Sequence, residues 1–160
     1  MRPIAPQRFP RLESDAMPHE ARKTVLVVDD EPEIRKLVGA MVTQFGYSVL
    51  TADSGDHALT VYSHHKAPIE LLITDVVAPG MSGPMLADKL SAMQSDLKVL
   101  YISGYDNTHV VQKYVVEKGH VLLSKPFTME ELRAQVTALL RQPAERASGV
   151  PTGHETGPTR

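Results

Sequence analysis

Four short segments carry side chains whose types suit shared chemistry. Asp29, Asp30 and Glu31 follow one apolar run, and Asp75 follows a second. Ser103-Gly104 follows a third and Lys125-Pro126 a fourth. Carboxylates brought close together repel, and each raises the pKa of the others. They stay ionised when a cation joins them. Magnesium suits such a cluster because it takes hard oxygen ligands, commonly one or two carboxylates completed by water and phosphate oxygens. Calcium would ask for more protein oxygens. A phosphoryl group arriving at Asp75 would bridge to the metal, with Lys125 on a second oxygen and the Ser103 hydroxyl donating to a third. Those are the positioning and charge-neutralising roles that phosphoryl transfer requires.

Each member alone has a plainer reading. Asp29 or Asp30 would serve as the cap of a helix opening at Pro32. Asp75 would begin a turn through residues 76–80. Ser103-Gly104 would be a turn, and Lys125 a solvated surface lysine. The functional reading gains its weight from all four occurring together, at the ends of four different apolar runs. Other residues do not join them. His64 and His65 are adjacent, so they do not face the same way on a helix, and a shared metal is not expected. His109 and His120 read as surface residues. Met41, Met85 and Met93 fit helical core spacing and need no cofactor.

The elements that must position these residues follow from periodicity. Residues 24–28 form a short, β-branched, nearly all-apolar run, as a strand buried on both faces should. Ile34, Leu37, Val38, Met41, Val42 and Phe45 then recur as one helix face. Pro32 suits the first turn of that helix and Gly46 its end. Further strands are expected over 47–51, 70–74, 97–102 and 121–123. Helices are expected around Ala58–Tyr62, Met85–Met93 and Val110–Val115, and a last one capped by Thr128 with Glu131 in a capping box. Leu132, Val136, Leu139 and Leu140 form the apolar face of this last helix. Strands alternating with helices predict an α/β fold, a five-stranded parallel sheet with helices on both faces. Right-handed crossovers leave few topologies, and the order 2-1-3-4-5 suits this length. Sites in such sheets lie outside the carboxyl ends of the strands, where the four segments fall.

The chain has 160 residues, enough for one well-packed domain. Its net charge is −2, so no basic surface points to direct nucleic-acid binding. There is no cysteine, which excludes a disulfide framework, Cys-ligated zinc, iron–sulfur clusters and a thiol nucleophile. The apolar runs are far short of the roughly 20 residues a membrane helix needs. Arg2, Arg8 and Arg11 precede no apolar stretch, so no secretory signal is expected and the expected location is cytoplasmic. Of the 12 prolines, Pro3, Pro6, Pro10 and Pro18 lie near one end and Pro143, Pro151 and Pro158 near the other. Residues 1–23 and 142–160 lack hydrophobic periodicity and are expected to be disordered tails, leaving 24–141 as the folded domain.

At this point the chain resembles a response-regulator receiver domain of two-component signalling. The resemblance rests on Val25-Leu26-Val27-Val28-Asp29-Asp30-Glu31-Pro32 and on Leu72-Ile73-Thr74-Asp75-Val76-Val77-Ala78-Pro79-Gly80-Met81-Ser82-Gly83. It also rests on Ser103-Gly104-Tyr105 and Ser124-Lys125-Pro126-Phe127. These last two look most like stand-alone receivers and those of hybrid histidine kinases. The resemblance implies the flavodoxin-like receiver fold, with Asp75 as phosphoacceptor. Asp29 and Asp30 would hold Mg2+, with the backbone carbonyl of Val77 as another ligand. Lys125 would contact the phosphoryl group and Ser103 would be the switch hydroxyl, with Tyr105 riding on the moving loop. The donor would be a phosphohistidine on a sensor histidine kinase or phosphotransfer protein. Output would pass to a downstream protein target by contact or by phosphorelay, with no output domain expected after residue 141.

Two positions depart from the pattern. Ala78 stands where the loop usually carries Met, and Leu122 stands where many receivers place an aromatic switch residue. Two other functions compete with the switch. One is an interaction module of the same fold that is not phosphorylated. The other is a magnesium-dependent phosphohydrolase, which fits less well because its usual pattern separates two aspartates by one residue after the first strand. The chain is therefore expected not to be an enzyme.

Overall fold

The computed structural model describes residues 22–104, 113 and 115–141. In chain order these contain β1 (Thr24–Val28), α1 (Pro32–Gln44), β2 (Ser48–Ala52), α2 (Gly55–His64), β3 (Leu71–Asp75) and α3 (Gly83–Met93). They continue with β4 (Lys98–Ser103), β5 (Val121–Ser124) and α4 (Met129–Arg141). The strands form one parallel sheet in the order β2-β1-β3-β4-β5. This is the expected flavodoxin-like arrangement. Most of the expected helix between β4 and β5 lies outside the described residues, as do His109 and the tails beyond Arg22 and Lys23. Residues 113 and 115–117 of that helix are helical, and Val115 is fully buried.

Alternation along the strands divides the core in two. Val25 and Val27 of β1, Leu71 and Ile73 of β3, and Leu100 and Ile102 of β4 point to one face. There they meet Val38 and Val42 of α1 and Leu132, Val136, Leu139 and Leu140 of α4. Leu26, Val28, Leu72, Val99 and Tyr101 point to the other face, against Ala58 of α2 and Leu86, Ala87 and Leu90 of α3. All five β1 residues are buried, which is why that strand reads as a continuous apolar run.

Local signals set the helix ends. Ser54 and Ser82 accept the backbone N–H of His57 and Met85, capping α2 and α3. The capping box of α4 forms in both directions: Glu131 N–H donates to Thr128 Oγ1 at 3.1 Å, and Thr128 N–H donates to Glu131 Oε2 at 2.8 Å. Gly46 follows the C-cap of α1 at φ 100°, a left-handed turn that glycine makes without steric cost. Lys23 reaches across to donate to the Leu140 carbonyl at the end of α4. Among the described residues no helix is long and apolar enough to cross a membrane.

Several expectations are corrected. Leu37, Met85 and Met93 are not core residues; they are 51%, 53% and 56% exposed. The apolar arc of α1 is wider than the stripe it buries through Val38 and Val42. On α3 the two methionines flank the Leu86–Leu90 stripe that faces the sheet. His120 is not a plain surface residue: it is half-buried, edge-on to Tyr101, with ring centres 5.6 Å apart. Strands two, three and four run one residue later than expected, so Asp75 itself closes β3 and pairs with Ile102.

Candidate functional site

The carboxyl edge of the sheet gathers the acidic residues. β1 ends at Val28, but the Asp29 N–H still donates to the Ala52 carbonyl at 3.2 Å, extending the strand's hold on β2. Asp29 is thereby buried, with its side chain only 5% exposed. Its Oδ1 accepts the Glu31 N–H at 2.9 Å. Glu31 is the N-cap position of α1 and makes no side-chain cap, so neither Asp29 nor Asp30 caps that helix. Asp75 ends β3 next to this loop because β3 pairs directly with β1. Its Oδ1 accepts the Val77 N–H at 3.1 Å.

Lys125 joins the two carboxylates. Its Nζ donates to Asp75 Oδ2 at 3.2 Å and lies 3.9 Å from Asp29 Oδ2. The lysine is held there by its own backbone: Lys125 N–H donates to the Ser103 carbonyl at 2.7 Å, one step beyond the β4–β5 pairing. The Lys125–Pro126 peptide is cis. Ser103 is buried, and its Oγ donates to the Gly104 carbonyl at 3.2 Å rather than to Asp75 or Lys125. Asp30 and Val77 sit on the adjoining loops with their side chains exposed to water. Tyr105 lies outside the described residues.

Burial pushes the Asp29 carboxyl above the ordinary carboxylate range. The Glu31 N–H and the Lys125 charge pull it back, while Asp75 and Asp30 add further upward pushes. The lysine thus supplies part of the positive charge that the carboxylates require. Among the described residues no three His, Asp or Glu side chains are drawn together into a ready metal cage. The donor set around Asp29, Asp30 and Asp75 is all oxygen and open to water on the Asp30 side. That composition fits a hard ion that keeps several of its waters and takes only one or two carboxylates, which is the habit of magnesium.

The contacts of three residues beside the site were not read from the sequence, although Thr74 and Gly83 lie within the motif spanning residues 72–83. The Arg35 guanidinium donates to the Asp29 carbonyl at 2.7 Å from the first turn of α1. A side chain on a first turn leans back toward the helix N-terminus, so its spacing from Asp29 was the available signal. Thr74 Oγ1 donates to the Asp75 carbonyl at 3.2 Å. Gly83 packs directly on that same carbonyl, and only its place between Ser82 and Pro84 hinted at a helix start.

A parallel 2-1-3-4-5 sheet defines a flavodoxin-like α/β domain, here with an acidic, lysine-bridged carboxyl edge. The model of the response regulator receiver domain matches residues 25–137, and the chain belongs to that family, the receivers of two-component response regulators. It is 30% identical over 119 residues to the sensor kinase CckA of Brucella abortus, covering 74% of this chain and 13% of that protein. It is 28% identical to the response regulator receiver protein CpdR of the same organism, covering 74% of this chain and 97% of CpdR. The receiver domain of NtrX from Brucella abortus superposes with a TM-score of 0.67 at 30% identity, covering 74% of this chain and 99% of that one. The chain spans half or less of the length of the first curated relatives it matches, from 13% to 50%.

Proposed function

We propose that this receiver is a phosphorylation-controlled switch that accepts a phosphoryl group on Asp75. The donor is a phosphohistidine of a sensor histidine kinase or phosphotransfer protein in the cytoplasm. A carboxylate oxygen of Asp75 attacks the phosphorus, the P–N bond breaks, and the electron pair leaves with the imidazole, which takes up a proton. Lys125 stays beside Asp75 and pairs with the phosphoryl oxygens. Ser103 exchanges its bond to the Gly104 carbonyl for one to a phosphoryl oxygen, and this exchange is the differential contact a switch requires. Magnesium, held by Asp29 and Asp30 with the Asp75 carboxylate and the Val77 carbonyl, would neutralise charge on the transferring group. Output passes to a downstream protein by contact or by onward transfer, without enzymatic turnover of small substrates.

The observation that carries this reading is the placement of one ammonium between two carboxylates, 3.2 Å from Asp75 and 3.9 Å from Asp29. The test is labelling with acetyl phosphate followed by intact-mass spectrometry. One phosphoryl group should be gained with Mg2+ and none with EDTA. Asp75→Asn keeps the shape, removes the nucleophile and should gain nothing. Normal labelling of that variant would falsify the assignment.

A further inference from the structure

Gly83 opens α3, and it does so against the backbone of Asp75. A β-carbon placed at Gly83 would lie 2.1 Å from the Asp75 carbonyl oxygen, 3.1 Å from its carbonyl carbon and 3.2 Å from Thr74 Cγ2. Those first two neighbours are backbone, which cannot swing aside as the end of a long side chain does. Hydrogen bonds close the same unit. Gly83 N–H donates to the Val76 carbonyl at 3.1 Å, and Val76 N–H donates to the Ile102 carbonyl of β4 at 3.1 Å. Val77 N–H then donates to Asp75 Oδ1. The N-terminus of α3 therefore rests on the Asp75–Val76 peptide, and that peptide sets where the carboxylate of Asp75 points.

We propose that Gly83 is a positioning residue for Asp75: its bare Cα lets α3 seat on the Asp75 carbonyl and so holds the carboxylate toward Lys125. This rests on the reading of Asp75 as phosphoacceptor. A methyl group at Gly83 forces α3 to retreat or the Asp75–Val76 peptide to rotate. Either motion breaks the Val77 N–H bond to Oδ1 and shifts Oδ2 away from Lys125. Gly39 provides the contrast. A β-carbon there meets only Val49 Cγ1 at 3.6 Å and Thr51 Cγ2 at 3.7 Å, ordinary contacts that displace nothing.

The experiment compares wild type, Gly83→Ala, Gly39→Ala and Leu86→Ala in the full chain. Leu86 is buried on α3 away from the site and matches a general loss of stability. Initial labelling rates with acetyl phosphate and Mg2+ are read by intact mass under conditions where circular dichroism shows each variant folded. Gly83→Ala should label more slowly by about a hundredfold, the cost of misplacing a reacting group by an ångström. Folded Leu86→Ala and Gly39→Ala should label like wild type. Amide NMR without any phosphodonor should show Asp75 and Val77 shifted in Gly83→Ala alone. Labelling of Gly83→Ala as fast as Gly39→Ala, or unshifted Asp75 and Val77 amides, overturns the proposal. Should Gly83→Ala not fold, hydrogen exchange of the wild-type Gly83 amide decides it: slow exchange supports the seat and free exchange overturns it. Wild type that never labels refutes the phosphoacceptor reading, while the amide shifts and exchange still judge the seat.

Discussion

Replacing Lys125 by Met keeps much of the side chain's bulk and removes its charge. At an effective permittivity of about 20, the pair at 3.2 Å is worth roughly 5 kcal/mol and the pair at 3.9 Å roughly 4 kcal/mol. Most of that gross attraction is offset by the cost of drawing the ammonium and two carboxylates out of water. Removing one member of a buried charge pair nets about 3–5 kcal/mol, and the lysine's 22% exposure lowers the figure. We expect Lys125→Met to lose about 2–3 kcal/mol of unfolding free energy in EDTA at neutral pH, since Asp29 and Asp75 are left facing each other. The assay is urea unfolding followed by circular dichroism, with and without Mg2+. The deficit should narrow with Mg2+, because an added cation can take over part of the lost charge. Phosphoryl acceptance should stay about a hundredfold lower in both conditions, because in the proposed switch Lys125 pairs with the phosphoryl oxygens. Magnesium affinity should fall far less than the labelling rate. An unchanged urea midpoint in EDTA, or a loss of metal affinity with normal labelling, would refute this division of roles.

Two further outcomes are expected. Thr128→Ala should cost about 1 kcal/mol in urea unfolding, and adding Glu131→Ala should cost less than the sum of the single changes, since the two residues serve each other across the same turn. His120 is held below its ordinary pKa by burial, with Lys118 pushing the same way and Asp88 opposing. Its neutral form is favoured in the fold, so its stabilising effect is complete above the unfolded value of about 6.5 and is lost as pH falls below it, where the unfolded chain takes up the proton first. Wild type should therefore lose more stability than His120→Gln between about pH 7.5 and about pH 5.5, and equal losses would contradict the buried, neutral ring.

The sheet was legible in the sequence because the central strands β1, β3 and β4 are buried on both faces and read as apolar runs, while the half-exposed edge strands β2 and β5 still stand out as short apolar segments between turn residues. Pro32, Gly46, Thr128 and Glu131 marked helix ends through chemistry that acts within one turn. The acidic edge followed from topology, since every chemically active residue stood at the end of such a run. What stayed hidden depends on packing between elements. Leu37, Met85 and Met93 share the spacing of buried neighbours, and periodicity does not say how wide a stripe the sheet will cover. The contact of His120 with Tyr101 needs the β4–β5 pairing to bring them together. Arg35 and Gly83 act on backbone carbonyls, and a carbonyl leaves no trace in residue type. The present partner of the Ser103 hydroxyl is likewise a carbonyl, in the next residue.

The division of the interior by the sheet has an evolutionary consequence. Among the described residues no buried side chain belongs to both apolar clusters. Changes on α2 and α3 can therefore accumulate without disturbing the packing of α1 and α4, because distant substitutions with no shared partners add independently. The backbone of β1, β3 and β4 is common to both halves, and the acidic edge is carried on that backbone. A lineage of such chains can remodel either helical flank while the edge bearing Asp29 and Asp75 is inherited intact. The partition leaves the two helical flanks free to vary separately around one acidic edge.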